Sequence, residues 1–194
     1  MQNTSPTRRA LPALAGSRVQ SRGFTLTELL VAIGIIAILV SVGIPSYKNV
    51  TTANRMSAEI NGLLYDMQYA RSEAIKQGTP VTVCASWDGQ TCLGWVWWGA
   101  GWIVFEDKNG NQSVDPGEAV LRSQPALASG DSLWPDNWFY AVTYNREGYA
   151  LGMPGTVTLH LHDANWNNVI TRCLQISLVG QMQTERFGFG NCWW

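Results

Sequence analysis

Charge is what this 194-residue chain lacks most. Acidic and basic side chains make up only 14% of it, no acid precedes Glu28, and no charged residue at all stands between Glu28 and Lys48. An uncharged, mostly aliphatic stretch of roughly 20 residues is long enough to cross a bilayer, which argues against a chain dissolved wholly in water. Histidine is nearly absent as well, and the four cysteines form no C-x-x-C pair, so the common zinc spacings are missing. No constellation of serine, cysteine or carboxylate argues for catalysis, and no enzyme is expected. No internal repeat is evident. Aromatic residues, by contrast, reach 11% with ten tryptophans, which excludes a disordered tail.

The basic residues ahead of the apolar run are Arg8, Arg9, Arg18 and Arg22, and they hold that end in the cytoplasm. Ordinary secretory signals are cut after their apolar segment, whereas here the small residue Gly23 and the aromatic Phe24 stand before it. Cutting at that junction sheds residues 1–23 and keeps the helix as an anchor. A plain single-pass anchor, or a secretory signal cut near Ser41 to Pro45, competes with this reading. Loss of the leader takes four of the 13 basic side chains and leaves nine against 14 acidic ones. The remaining domain is acidic, which disfavours attraction to phosphate backbones.

Glu28 is the one charge inside the apolar helix. Its insertion costs about 3 kcal/mol, which a dozen aliphatic residues at ~0.5 kcal/mol each offset. A carboxylate there requires a cation, and a new amino group at Phe24, on the same or a neighbouring subunit, is the obvious one. The helix macrodipole also favours a negative charge in the first turn.

The stretch Gly23-Phe24-Thr25-Leu26-Thr27-Glu28-Leu29 resembles the class III signal of type IV prepilins and type II secretion pseudopilins. The resemblance implies cleavage after Gly23 by the prepilin peptidase, N-methylation of Phe24, and a role for Glu28 in registering an incoming subunit in a filament. Further on, Gly101-Trp102-Ile103-Val104-Phe105 with Asp107, Asn109, Asn111, Asp115 and Gly117-Glu118, and Arg172-Cys173-Leu174-Gln175-Ile176-Ser177 with Gly180, resemble the GspH/FimT family. That likeness implies a minor pilin that helps initiate or cap a type IV pilus, or the minor pseudopilin of type II secretion. Its partners would be other pilins or pseudopilins, the prepilin peptidase and the inner membrane, with the C-terminal domain in the periplasm. Some FimT-like members resemble DNA-binding pilins through a late G-R-x-R motif. Here Gly180-Gln181-Met182-Gln183 stands in its place, so nucleic acid is not expected as a partner, although Arg172 and Arg186 could partly compensate.

Four segments follow: the leader 1–23, a membrane half of the helix over 24–45, an amphipathic half over 46–78, and a β-rich domain over 79–194. Pro45 should kink the helix. Beyond it Ala53, Met56, Ile60, Leu63, Met67, Ala70 and Ala74 form an apolar stripe, and Arg55, Glu59, Asp66, Arg71, Glu73 and Lys76 a polar face. Gln77-Gly78-Thr79-Pro80 reads as the end of a helix running from about Phe24 to Gln77. Strands are predicted over 81–85, 102–105, 119–122, 139–144, 156–162, 169–178 and 182–187, and a loop over 123–137. The fold class is α+β, with the helix packed on antiparallel sheet.

In an oxidising periplasm the four cysteines Cys84, Cys92, Cys173 and Cys192 read as two disulfides, with Cys84–Cys92 and Cys173–Cys192 favoured because each closes a short loop. Asp107, Asn109, Asn111, Asp115 and Glu118 offer oxygens of the kind calcium requires, although a polar turn accounts for them without an ion. No other cofactor is expected. His160 and His162 share a strand face and are expected to be exposed. Trp95, Trp97, Trp98, Trp102, Trp193 and Trp194 offer either core packing or a surface for sugar or subunit contact.

Overall fold

A computed structural model of the protein describes residues 23–193; the leader arginines and Trp194 lie outside the described residues. Helix α1 spans Leu26–Gln77 and is continuous in its assignment across Pro45. It begins two residues later than the sequence pattern suggests because Thr25 caps it: the Thr25 hydroxyl oxygen accepts the Glu28 backbone N–H at 3.2 Å. At the other end Gly78 adopts φ +70°, and its N–H closes on the Ala74 carbonyl at 3.0 Å.

The chain divides into two compact units at the boundary between Ile44 and Pro45. In the first unit, the described helix residues are exposed along their whole length. In the second, the remainder of α1 meets, among the described residues, the strands β1 (Val81–Ala85), β2 (Trp102–Glu106), β3 (Val120–Gln124), β4 (Ser132–Pro135), β5 (Ala141–Tyr144), β6 (Ala150–Leu151), β7 (Val157–His162), β8 (Arg172–Ile176) and β9 (Met182–Arg186). They form two antiparallel sheets, one ordered β3-β2-β1-β5-β6 and the other β4-β7-β8-β9.

The two-residue period of the strands decides what faces the helix. Val81, Val83 and Ala85 of β1, and Val157, Leu159 and Leu161 of β7, join one core with Met56, Ile60, Leu63, Met67, Ala70 and Ala74 of α1. Each fully buried valine, leucine, isoleucine or methionine among them contributes about 1.5–3 kcal/mol, and the alanines less. Ala53, at the start of the stripe, is only half-buried. On the outer side of the first sheet Cys84, Ile103, Phe105 and Ala141 form a second, smaller core.

Three expectations require correction. Residues 123–137 are not all loop: β4 pairs with β7, placing Leu133 in the core while Pro135 sits on an edge strand, where its missing N–H costs little. The predicted strand over 169–178 shortens to β8, because residues 168–170 form a 3-10 turn. His160 and His162 are fully buried rather than exposed. They lie on the outer face of the second sheet, where Trp166 stacks on His162 at 4.4 Å and the C-terminal segment is tied down at Cys192.

Candidate functional site

The N-terminal signal residues occupy the start of α1. Phe24 is 83% exposed and precedes the helix, while Thr25 and Glu28 build its first turn. The Thr25-x-x-Glu28 spacing is a capping-box pattern that the sequence carries openly, and Thr25 is the capping residue at this end. The cation expected to pair with Glu28 comes into being only when the Gly23–Phe24 bond is cut, since before that the Phe24 nitrogen is an amide. From Leu26 to Ile44 the large aliphatic side chains are all exposed, and the helix is long and apolar enough to cross a membrane.

The polar face of the second half of α1 is only partly solvated: Lys76 is exposed, but Arg55, Glu59, Asp66 and Arg71 are engaged by the domain. Asp66 is buried; its carboxylate accepts the Trp102 indole N–H at 2.9 Å and pairs with Arg122 at 3.1 Å, while that guanidinium lies over the rings of Tyr65 and Tyr69. Arg55 forks onto both oxygens of Asp131, at 2.7 and 2.9 Å. Beside them Glu59 accepts the Ala128 N–H at 3.2 Å, and burial, added to the neighbouring Asp131 charge, pushes its carboxyl up to about 7. Arg71 donates to the carbonyls of Gly148 and Val179, at 2.9 and 3.2 Å, so one helix side chain holds a turn of each sheet. Gly180 makes this possible: at φ +74°, a Cβ there would lie 2.3 Å from the Gly148 oxygen and 2.8 Å from the Arg71 Nε. Gly101 is similarly constrained, since at φ +105° its Cβ would meet the Gln124 carbonyl at 2.4 Å.

Cys84 is joined to Cys92 and Cys173 to Cys192, with Cα separations of 5.6 and 5.7 Å. The first loop is ordered by Asp88, which accepts the N–H groups of Gln90 and Thr91 and is held far below the usual carboxylate range by these bonds. Beside the second, the Nδ1 of His160 stands 3.3 Å from the Cys173 sulfur. His160, Cys173 and Cys192 place their donor atoms within 4.8 Å of one another, but the two sulfurs are bonded and offer no thiolate.

The oxygens considered for calcium are engaged by the loop itself. Asp107 is buried and accepts from the Thr82 hydroxyl and the N–H groups of Asn111 and Gln112, at 2.6, 2.9 and 3.0 Å. Asp115 accepts from the side-chain amides of Asn109 and Asn111, both at 2.8 Å, and Glu118 from the N–H groups of Lys108 and Asp115. The tryptophans divide: Trp98 and Trp102 are core, and Trp95, Trp97 and Trp193 are exposed. Trp95 packs edge-on against Trp138 at 4.8 Å, a partner the sequence reading did not name. Gln181 and Gln183 are exposed on the β8–β9 hairpin, while Arg172 and Arg186 stand opposite each other in the β8–β9 register.

A family model described as "Type II transport protein GspH" matches residues 59–180, and one described as "Prokaryotic N-terminal methylation motif" matches residues 18–44. The chain is 30% identical over 99 residues to the pilin-like protein PilA1 of Thermus thermophilus, covering 50% of this chain and 55% of that protein. It is 67% identical over 30 residues to the prepilin peptidase-dependent protein D of Escherichia coli, covering 16% of this chain and 20% of that one. The chain thus spans about half or less of the curated relatives it matches. Among solved structures, the type IV minor pilin FimU of Pseudomonas aeruginosa superposes with a TM-score of 0.50 and 24% identity, over 70% of this chain and 86% of that one, a likeness of fold.

Proposed function

Because the chain belongs to the GspH family of type II transport proteins, we propose that it is a minor pilin-like structural subunit that helps initiate or cap a type IV pilus. The observation that carries this reading is the division of one helix into an exposed apolar half and a half built into a folded domain. The first half needs apolar surroundings, first lipid and then the helices of neighbouring subunits, and the second half brings a domain with it. Cleavage after Gly23 by a prepilin peptidase frees the Phe24 amine, which is then methylated. That amine, or the one on an adjacent subunit, pairs with Glu28 in low dielectric, where a lone carboxylate is costly. The anchored protein sits in the inner membrane with its domain in the periplasm until it is drawn into the filament.

The family's description favours a second reading, the minor pseudopilin of a type II secretion system. Deleting the gene separates the two: loss of surface pili with normal secretion supports the first, and retention of secreted enzymes inside the periplasm with normal pili supports the second. A DNA-uptake role has less behind it, since Gln181 and Gln183 replace the arginines that such a motif requires. Calcium enters the loop at 107–118 only by displacing the internal donors that now occupy Asp107, Asp115 and Glu118.

A further inference from the structure

Where α1 passes the open edge of the second sheet there is a cavity of about 250 Å³, lined by Ser57, Ile60 and Asn61 of the helix and by Arg172, Thr184 and Arg186 of β8 and β9. Strand alternation puts Thr184 and Arg186 on the same face as the core residue Leu174, toward the helix. Glu185 also borders the cavity, but its position in β9 sends it to the opposite face, where its carboxylate accepts the Asn191 N–H at 3.0 Å. Two guanidinium groups therefore meet here without an acid between them. Arg172 is anchored through one nitrogen, which donates to the carbonyls of Ile170 and Thr171 at 3.0 Å each, and among the described residues its Nε and second terminal nitrogen make no hydrogen bond. Arg186 is exposed and has no ion pair among the described residues.

A pair of adjacent cations that the fold does not neutralise is a cost unless an anion joins them. Burial, and then the neighbouring charge of Arg186, lower the proton affinity of Arg172, in keeping with that cost. A planar oxyanion removes it, because each guanidinium can fork onto one while the Thr184 hydroxyl and the Asn61 amide add neutral donors around it; the Ser57 hydroxyl is already donated to the Ala53 carbonyl at 2.9 Å and only shapes the wall. We propose that this cavity is an oxyanion site that receives the carboxylate of an acidic side chain from a neighbouring subunit. The domain's own excess of acidic over basic groups repels a continuous polyanion such as DNA yet supplies isolated carboxylates on similar subunits. The identity of the occupant rests on the filament-subunit reading above; the affinity for an oxyanion does not.

The test uses the full chain in detergent at fixed ionic strength, titrated calorimetrically with glutarate, inorganic phosphate, a hexaglutamate peptide and a short DNA duplex. Glutarate and hexaglutamate bind, and Arg186→Gln weakens both by at least about tenfold, equivalent to ~1.4 kcal/mol. Because the Arg186 side chain has no ion pair among the described residues and its charge opposes that of Arg172, its variant melts no lower than wild type in the absence of anion; Arg186→Lys retains part of the affinity, since it keeps the charge and loses the fork. Absence of glutarate and phosphate binding overturns the site, whatever the protein's role. Duplex DNA binding more tightly than hexaglutamate overturns the carboxylate and assigns the site to nucleic acid. If the anions bind as stated but Arg186→Gln enters filaments as well as wild type, the neighbouring-subunit occupant falls and the site alone stands. Failure of the whole subunit reading is recognised separately, by unprocessed Gly23–Phe24 in the cell.

Discussion

The two halves of α1 obey opposite rules although they share one backbone. Between Leu26 and Ile44 aliphatic residues occur on every side and all of them are exposed; further along, Met56, Ile60, Leu63, Met67, Ala70 and Ala74 form one buried stripe, with Leu64 half-buried beside it and Ala58 exposed. The first half has no face, so only a surrounding apolar medium satisfies it. The second has a face that fits two sheets, and its remaining sides are used for ion pairs. A substitution therefore does different damage on either side of Pro45, and that contrast can be broken or sharpened by experiment.

The largest effect falls on the buried stripe. Leu63→Ala, at a fully buried position, lowers the domain's unfolding free energy by about 2–5 kcal/mol in urea denaturation, while Ile36→Ala leaves it unchanged. Equal effects from the two would show that the halves are not independent. Glu28→Ala marks the opposite corner: the domain melts as wild type, but the protein is depleted from sheared filaments, as immunoblotting would show. Loss of the protein itself from the membrane would break the contrast, because Glu28 belongs to the first unit and the folded domain to the second.

Smaller shifts come from the polar sides of the second half. Asp66→Ala strands the Trp102 indole N–H and the Arg122 guanidinium and costs about 1–3 kcal/mol by the same denaturation assay. Glu59→Gln has the smallest effect and depends on pH. Because the folded carboxyl titrates at about 7, above its ordinary 4.5, the stability it contributes is complete below pH 4.5 and is lost as pH rises through 7. The glutamine variant keeps the bond to the Ala128 N–H and has no charge to lose. Its melting temperature equals that of wild type at the acid end of the window and exceeds it at pH 8; identical curves at both ends would refute the buried-carboxyl reading.

Much of this was legible in the residues. The stripe from Met56 to Ala74, the glycine that ends the helix and β1 at 81–85 follow from periodicity and turn chemistry acting locally. What was not legible depends on partners distant in sequence. β4 hides among Pro125, Gly130 and Pro135, and only its pairing with β7 makes Leu133 a core residue. Asp66 and Arg55 look solvated on a helical wheel because Trp102 and Asp131, which engage them, lie 36 and 76 residues away. The histidines are covered by separate segments: His162 lies under Trp166, and His160 lies beside the bond that joins Cys173 to the distant Cys192. At the site, the Thr25 cap was readable and local, whereas the facing of Arg172 and Arg186 required the hairpin register.

The bond between Cys173 and Cys192 has a kinetic consequence. β9 is the outer strand of its sheet, and such strands ordinarily fray, exchanging their amide hydrogens through small local openings. Here the segment after it is fastened back near the start of β8, so β9 forms the interior of a closed covalent loop. It cannot peel away from its free end. Amide exchange in β8, β9 and the tail is therefore expected to proceed as one cooperative unit under oxidising conditions, and to separate into a slow inner strand and a fast outer one once the disulfide is reduced.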